Sequence, residues 1–216
     1  MRKPPTYERY LAPTEREPLA GFSAIAHHFW RTAERIRHEA MEATKGRSWP
    51  VDWTVHSAIC LYHAALDGFI NETIAFAIAL GGPAENGHHV QGNTLNVRKL
   101  RDFFSYFGLE SKVDQKVLDR VKLLAELRNR LGHHWPEMRD IRDYPRAVVA
   151  ALNDAGITPV NTTWTAQCAD VRLAEWSANV VHDFVSEWWR IGRRGDDLEQ
   201  AHWAFGPELM YPEPSD

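Results

Sequence analysis

Residues 52–83 read DWTVHSAICLYHAALDGFINETIAFAIALGGP, and the spacing of the apolar side chains in this stretch decides the fold class. Val55, Ile59, Leu66, Phe69, Ile70, Ile74 and Ile78 recur at intervals of three and four, the period of a helix that turns one face to a core. Asp52 can cap the start by accepting a backbone N–H, and Gly81-Gly82-Pro83 stops the helix near Leu80, because proline cannot continue the ladder.

The same period extends outward in both directions. Leu19, Phe22, Ile25, Ala26, Phe29, Ala33 and Ile36 predict a helix over Glu15 to Ala43, ended by Gly46, Ser48 and Pro50. On the other side, Pro83 to Thr94 reads as a polar loop containing His88-His89, followed by a short helix over Leu95 to Phe107 and a break at Gly108. A further helix starts at Ser111 or Asp114, carries Val113, Val117, Val121, Leu124 and Leu127, and meets an interruption at Trp135-Pro136. Tyr144 to Ala155 predicts another helix. Asn153 to Thr165, with Ile157, Val160 and Thr162 to Thr165, holds the strand-like residues of note and is read as a connecting loop. Cys168 to Ile191 is the last helix, with Val171, Trp176, Val180, Val181, Phe184, Val185 and Trp188 on its apolar face and Gly192 as its close. Helix following helix without alternating strands predicts an all-α, up-and-down bundle. The bundle is expected to occupy one domain over residues 15–192, with tails over 1–14 and 193–216.

Composition bounds the function classes. A 44% hydrophobic and 25% charged content over 216 residues suits one globular domain. The two cysteines, Cys60 and Cys168, lie in apolar helical patterns far apart in sequence and supply no disulfide framework, which fits a reducing cytoplasm. The first eighteen residues have no apolar signal core, and no run of about 18 apolar residues occurs, so neither secretion nor a membrane span is expected. The net charge of -4 argues against a uniformly basic nucleic-acid binder. Arg98 to Arg146 nevertheless holds twelve basic against eight acidic residues, a local +4. A solvated helical face of mixed charge also accounts for that surplus.

Within this basic stretch, Arg128 follows Leu124 by four residues, Val121 by seven and Val117 by eleven, so it continues their apolar stripe. A guanidinium directed inward needs a carboxylate, a partner subunit or a phosphate, because it keeps its charge and is costly to bury alone. The competing reading is an arginine that ends the stripe at a helix C-terminus and reaches water. His133 lies five residues further, a rotation of about 140° on an ideal helix, so a regular helix cannot aim both side chains at one small site. Either Gly132 ends or distorts the last turn, or two chains contribute.

The segment Leu124-Ala125-Glu126-Leu127-Arg128-Asn129-Arg130-Leu131-Gly132-His133-His134 resembles the R-N-x-x-x-H-H signature of HEPN proteins, particularly their abortive-infection-like ribonucleases. The resemblance is tight over the motif and looser over Ser57 to Leu80, Glu15 to Thr44 and the Cys168 helix. It implies a compact helical bundle that dimerises and juxtaposes two copies of the motif in one cleft. It also implies metal-independent RNA cleavage, in which a ribose 2'-hydroxyl attacks the adjacent phosphate to leave a 2',3'-cyclic phosphate and a 5'-hydroxyl, as in toxins and antiviral effectors. In that scheme Arg128, Asn129 and His133 are catalytic, and Arg130 and His134 contact flanking RNA. No metal and no cofactor is called for. The implied partners are RNA, a second copy of the chain and an antitoxin or regulatory protein. Some members carry a tyrosine two positions after the motif histidine, where an antitoxin modifies it; Trp135 stands there in this chain, so that form of silencing does not apply. A non-catalytic HEPN-like module that binds nucleotide, RNA or a partner protein is the alternative.

Two other constellations compete with the motif. His56, His63, Asp67 and Asn71 recur at helical spacings, and His63 with Asp67 could join His27-His28 around a metal. Eleven histidines produce such pairs by chance, and no HExxH or ExxH stands where it would complete a zinc or carboxylate site. The simpler reading makes His63, Asp67 and Asn71 a polar seam facing the motif helix, supporting it from behind, with Asp67 or Glu72 as the partner of Arg128. Nine tryptophans could stack bases, but Trp176 and Trp188 fall in the apolar pattern of the last helix and are expected in the core or a dimer interface. No Gly-rich phosphate loop and no GxSxG occurs, which removes P-loop and serine-hydrolase chemistry from consideration.

Overall fold

The fold is seen in a computed structural model, which describes residues 25–79, 83–93, 95–133 and 140–192. Eight α-helices follow one another there, without strands: α1 (Ile25–Thr44), α2 (Val55–Ala79), α3 (Ala84–Gln91), α4 (Val97–Tyr106), α5 (Gln115–Gly132), α6 (Arg146–Asp154), α7 (Trp164–Cys168) and α8 (Val171–Gly192). The chain is an all-α helical bundle. The expected start of the first helix at Glu15 and the two tails lie outside the described residues.

α2 is the central member, packing against α1, α3, α5 and α8. Its residues Val55, Ile59, Tyr62, Leu66, Phe69, Ile70 and Ile74 are all buried, as a helix surrounded by others requires. Trp30 of α1 meets Tyr62 edge-on at 5.1 Å, and Phe69 meets Phe184 of α8 in the same geometry at 6.3 Å. Phe103 and Phe107 close around Trp188 at 4.9 and 4.7 Å, so the α4 end of the bundle is an aromatic cluster. Trp176 and Trp188 are buried as their spacing predicts, whereas Trp49 and Trp53 stand exposed. Cys60 and Cys168 are free thiols.

Local signals account for most boundaries. Asn96 accepts the Lys99 N–H at 3.0 Å to start α4, and Asp114 accepts the Lys116 N–H at 2.9 Å to start α5. Gly108 and Gly156 take the left-handed backbone (φ 69 and 68°) that ends their helices. The stretch from Ile157 to Thr163 is irregular, as expected of a connecting loop.

Two boundaries differ from the sequence reading. The supposed polar loop after Pro83 contains α3, because Gly87 and Val90 are buried against α2, and a Cβ at Gly87 would lie 2.6 Å from Ile78 Cδ1. Glycine is there for close packing, which outweighs its poor helix propensity. The last helix is also divided at Ala169-Asp170. Asp170 accepts the Arg172 N–H at 3.0 Å, while Asp52 N–H donates to Ala169 O at 2.9 Å and Val171 N–H to Pro50 O at 3.0 Å. That local cap and the clasp to the α1–α2 connection occupy backbone groups a continuous helix would have used itself.

Candidate functional site

α5 delivers the motif as a regular helix through Gly132. Its buried residues are Leu118, Val121, Leu124, Ala125 and Leu127, which press it against α2 and α8. Arg128 does not follow them inward: it is exposed, as the reading of an arginine that ends the stripe and reaches water has it, and not the inward course. The stripe reaches the rim of the bundle after Leu124 and Leu127, where a guanidinium keeps its hydration at no cost to packing. Arg128 Nη1 donates to Asn129 Oδ1 at 3.2 Å. Among the described residues no carboxylate pairs with it. Asp67 is committed to Lys99, and Glu72 accepts the Ala26 N–H at 3.0 Å, so neither is the partner expected for Arg128.

His133 is the first residue beyond the helix, exposed and extended (φ -108°, ψ 124°), with its N–H donating to Asn129 O at 3.2 Å. Gly132 is still helical and takes no left-handed conformation, so it does not bend His133 back toward Arg128. Arg130 is half-buried in the last turn, and His134 lies outside the described residues. Because a Cβ at Gly132 would meet nothing within 4 Å, Gly132→Ala is expected to stabilise the fold by about 0.5–1 kcal/mol, read as a higher midpoint in chemical denaturation.

Behind the motif lies the polar seam. Cys60, His63, Asp67 and Asn71 share one face of α2, and the charge of Arg128 holds the His63 imidazole and the Cys60 thiol down, against burial in the case of Cys60. The seam is joined by Lys99 of α4, a residue absent from the sequence reading. Its side chain is 0% exposed, and its Nζ donates to Asp67 Oδ1 at 2.7 Å and to Asn71 Oδ1 at 2.8 Å. The signal was present: Lys99 precedes Phe103 by four residues and Tyr106 by seven, on the apolar face of α4.

Burial, then the Arg128 charge, push the His63 imidazole down to about 4; Lys99 adds to this and Asp67 opposes it. Burial lowers His56 as well, although its Nε2 bonds Thr165 O at 2.9 Å. His63 is therefore neutral in the folded protein near pH 7. Between about 4 and the ordinary value of 6.5 the unfolded chain binds a proton at this position that the folded chain refuses, so stability is full above pH 6.5 and declines as pH falls toward 4. His63 contributes up to about 3 kcal/mol to that decline. Denaturation midpoints at pH 7.5 and 4.5 should differ less in His63→Gln than in the wild type.

Among the described residues no group of three His, Cys, Asp or Glu is placed to hold a metal ion. His27 and His28 sit on α1 with ring centroids 6.2 Å apart and form no such group with the seam. No helix among the described residues is long and apolar enough to cross a membrane. No family model matches the chain, and neither a curated protein nor a solved structure is similar to it.

Proposed function

We propose that this protein is a metal-independent endoribonuclease, HEPN-like in its motif, that acts as a homodimer with Arg128, Asn129 and His133 as catalytic residues. The observation that carries the reading is Arg128: an exposed guanidinium, held against Asn129 and unpaired by any described carboxylate, five residues before an exposed histidine. Such a group is ready for an anionic ligand. Since α5 stays regular through Gly132, the composite cleft of two chains is how Arg128 and a His133 come to face one phosphate.

The chemistry is a transesterification. One imidazole takes the proton of the ribose 2'-hydroxyl as its oxygen attacks phosphorus; the bond from phosphorus to O5' breaks, and a second imidazole donates a proton to the departing oxygen. The products are a 2',3'-cyclic phosphate and a 5'-hydroxyl. Arg128 stabilises the charge on the phosphorane, Asn129 orients Arg128, and Arg130 and His134 steady the flanking strand. A cytoplasmic toxin or antiviral effector, held in check by a regulatory protein, would use this activity, and the free thiols suit a reducing compartment.

The test is RNA cleavage in the presence of a chelator, with the product ends identified and the mass in solution measured by light scattering. Cyclic phosphate ends from a dimer support the proposal. RNA binding without cleavage across a panel of substrates would replace the enzyme by a non-catalytic RNA-binding module, and a monomer would remove the composite cleft.

A further inference from the structure

We propose that Trp53, in the turn that leads into α2, is a stacking platform for a base of single-stranded nucleic acid held across the motif end of the bundle. Hydrogen bonds set the level of that end. α5 runs antiparallel to α8, with the Asp114 N–H donating to Glu187 Oε1 at 2.9 Å and Arg120 paired with Asp183. Gly132 lies twelve residues beyond Arg120 and Val171 twelve before Asp183, about 18 Å along each helix, so the end of α5 and the start of α8 are level. The start of α8 is clasped to the α1–α2 connection, Val171 N–H donating to Pro50 O at 3.0 Å and Asp52 N–H to Ala169 O at 2.9 Å. Trp53 follows directly. With packed helix axes about 8–10 Å apart, the indole and the Arg128 guanidinium stand on the order of 10–20 Å from each other, a span that a few nucleotides cover.

Exposure singles Trp53 out. Among the described residues Trp30, Trp164, Trp176 and Trp188 are buried, whereas Trp53 is 59% exposed, the most open of the large apolar side chains there. The ring is not loose: His56 meets it edge-on, with centroids 5.5 Å apart and planes at 82°, and His56 is itself held by the bond between its Nε2 and Thr165 O at 2.9 Å. An indole fixed from one side and open to water on the other presents a π-face to a base. Charge selects nucleic acid over a protein surface as the occupant. The carboxylates at this end are engaged locally: Glu42 by Lys45 at 3.4 Å, Glu126 by Lys122 at 3.8 Å, Asp170 by Arg172 at 2.6 Å, and Asp52 by the Thr54 N–H and hydroxyl at 2.8 and 2.6 Å. Arg47 and Arg128 are exposed, and neither forms an ion pair with a described carboxylate. Open cations around an aromatic ring bind a single strand by its phosphates and its bases together. That the strand is RNA rests on the ribonuclease reading; the stacking platform itself does not.

The experiment measures binding of the full chain, by fluorescence anisotropy, to a labelled oligodeoxythymidylate, which has no 2'-hydroxyl and so cannot be cleaved, and to an abasic strand of the same length and charge. Trp53→Ala is expected to weaken binding of the base-bearing strand about 5–150-fold and to leave the abasic strand unaffected, with an unchanged denaturation midpoint because the indole is exposed. Trp53→Phe, which keeps a π-face, should retain most of the affinity. Arg128→Ala should weaken both strands alike, since it removes a phosphate contact. Equal affinity of wild type and Trp53→Ala for the base-bearing strand would overturn the proposal, as would an equal loss on both strands or no binding by the wild type. Conversion of a dimer to a monomer by Trp53→Ala, seen by light scattering, would also overturn it and assign the indole to an interface between two copies. RNA cleavage by a chain whose binding ignores Trp53 would refute this inference and leave the ribonuclease reading standing. Trp53-dependent binding of the deoxy strand by a chain that cleaves no RNA would do the reverse.

Discussion

Replacing Arg128 by alanine is expected to lower the rate of RNA cleavage about 10²–10³-fold while leaving the fold in place. The magnitude is that of removing one preorganised donor from a developing oxyanion. Stability should change by no more than about 0.5 kcal/mol, because Arg128 is exposed and holds no described carboxylate whose charge would be orphaned. Loss of activity with an unchanged denaturation midpoint therefore separates chemistry from unfolding. His133→Ala should cost about 10²–10⁴, the usual contribution of general acid-base catalysis, again without a stability effect, since its backbone N–H, not its ring, makes the bond to Asn129 O. Single-turnover rates for the wild type and both variants are the measurement. If either variant cleaves at the wild-type rate, the assigned mechanism fails.

The largest effect on stability is expected from Asp67→Ala. Lys99 Nζ is fully enclosed and has two oxygen partners, and removing the carboxylate leaves an ammonium in the interior with Asn71 alone. Breaking a buried pair from one side typically costs about 3–5 kcal/mol. Asp67 itself is 32% exposed, so water can partly replace it, and the lower end, about 3 kcal/mol, is expected. That remains a large fraction of a typical domain's stability. Lys99→Met removes the charge but keeps an apolar stem of similar length, and should cost less. The two changes together should cost less than their sum, because the second removes the charge that the first stranded. Chemical denaturation of the four proteins closes the cycle, and strict additivity would mean that the 2.7 Å contact contributes no coupling.

Much of the fold can be read from the sequence because it rests on local causes. A helix is made by the residues within it, so the apolar period in residues 55–79, the Asn96 and Asp114 caps and the Gly108 and Gly156 stops each announce themselves in a short window. The all-α class follows from their succession. The sequence by itself also placed Arg128, Asn129 and His133 at the end of a core-facing helix, and His63, Asp67 and Asn71 on one face of another. It misplaced what depends on neighbours distant in the chain. Gly87 reads as a loop until Ile74 and Ile78 are seen against it, and the break at Asp170 until Pro50 and Asp52 claim its backbone. The direction of Arg128, inward or to water, stayed open in the sequence for a related reason: helical spacing determines which residues share a face, whereas the extent of the neighbouring helices decides where that face meets water. Only the tertiary structure brought Lys99 thirty-two residues forward to Asp67, and among the described residues it left Arg128 with no carboxylate partner. Pairing of buried charge is a long-range choice among several possible partners, settled by packing, and no window of sequence contains it.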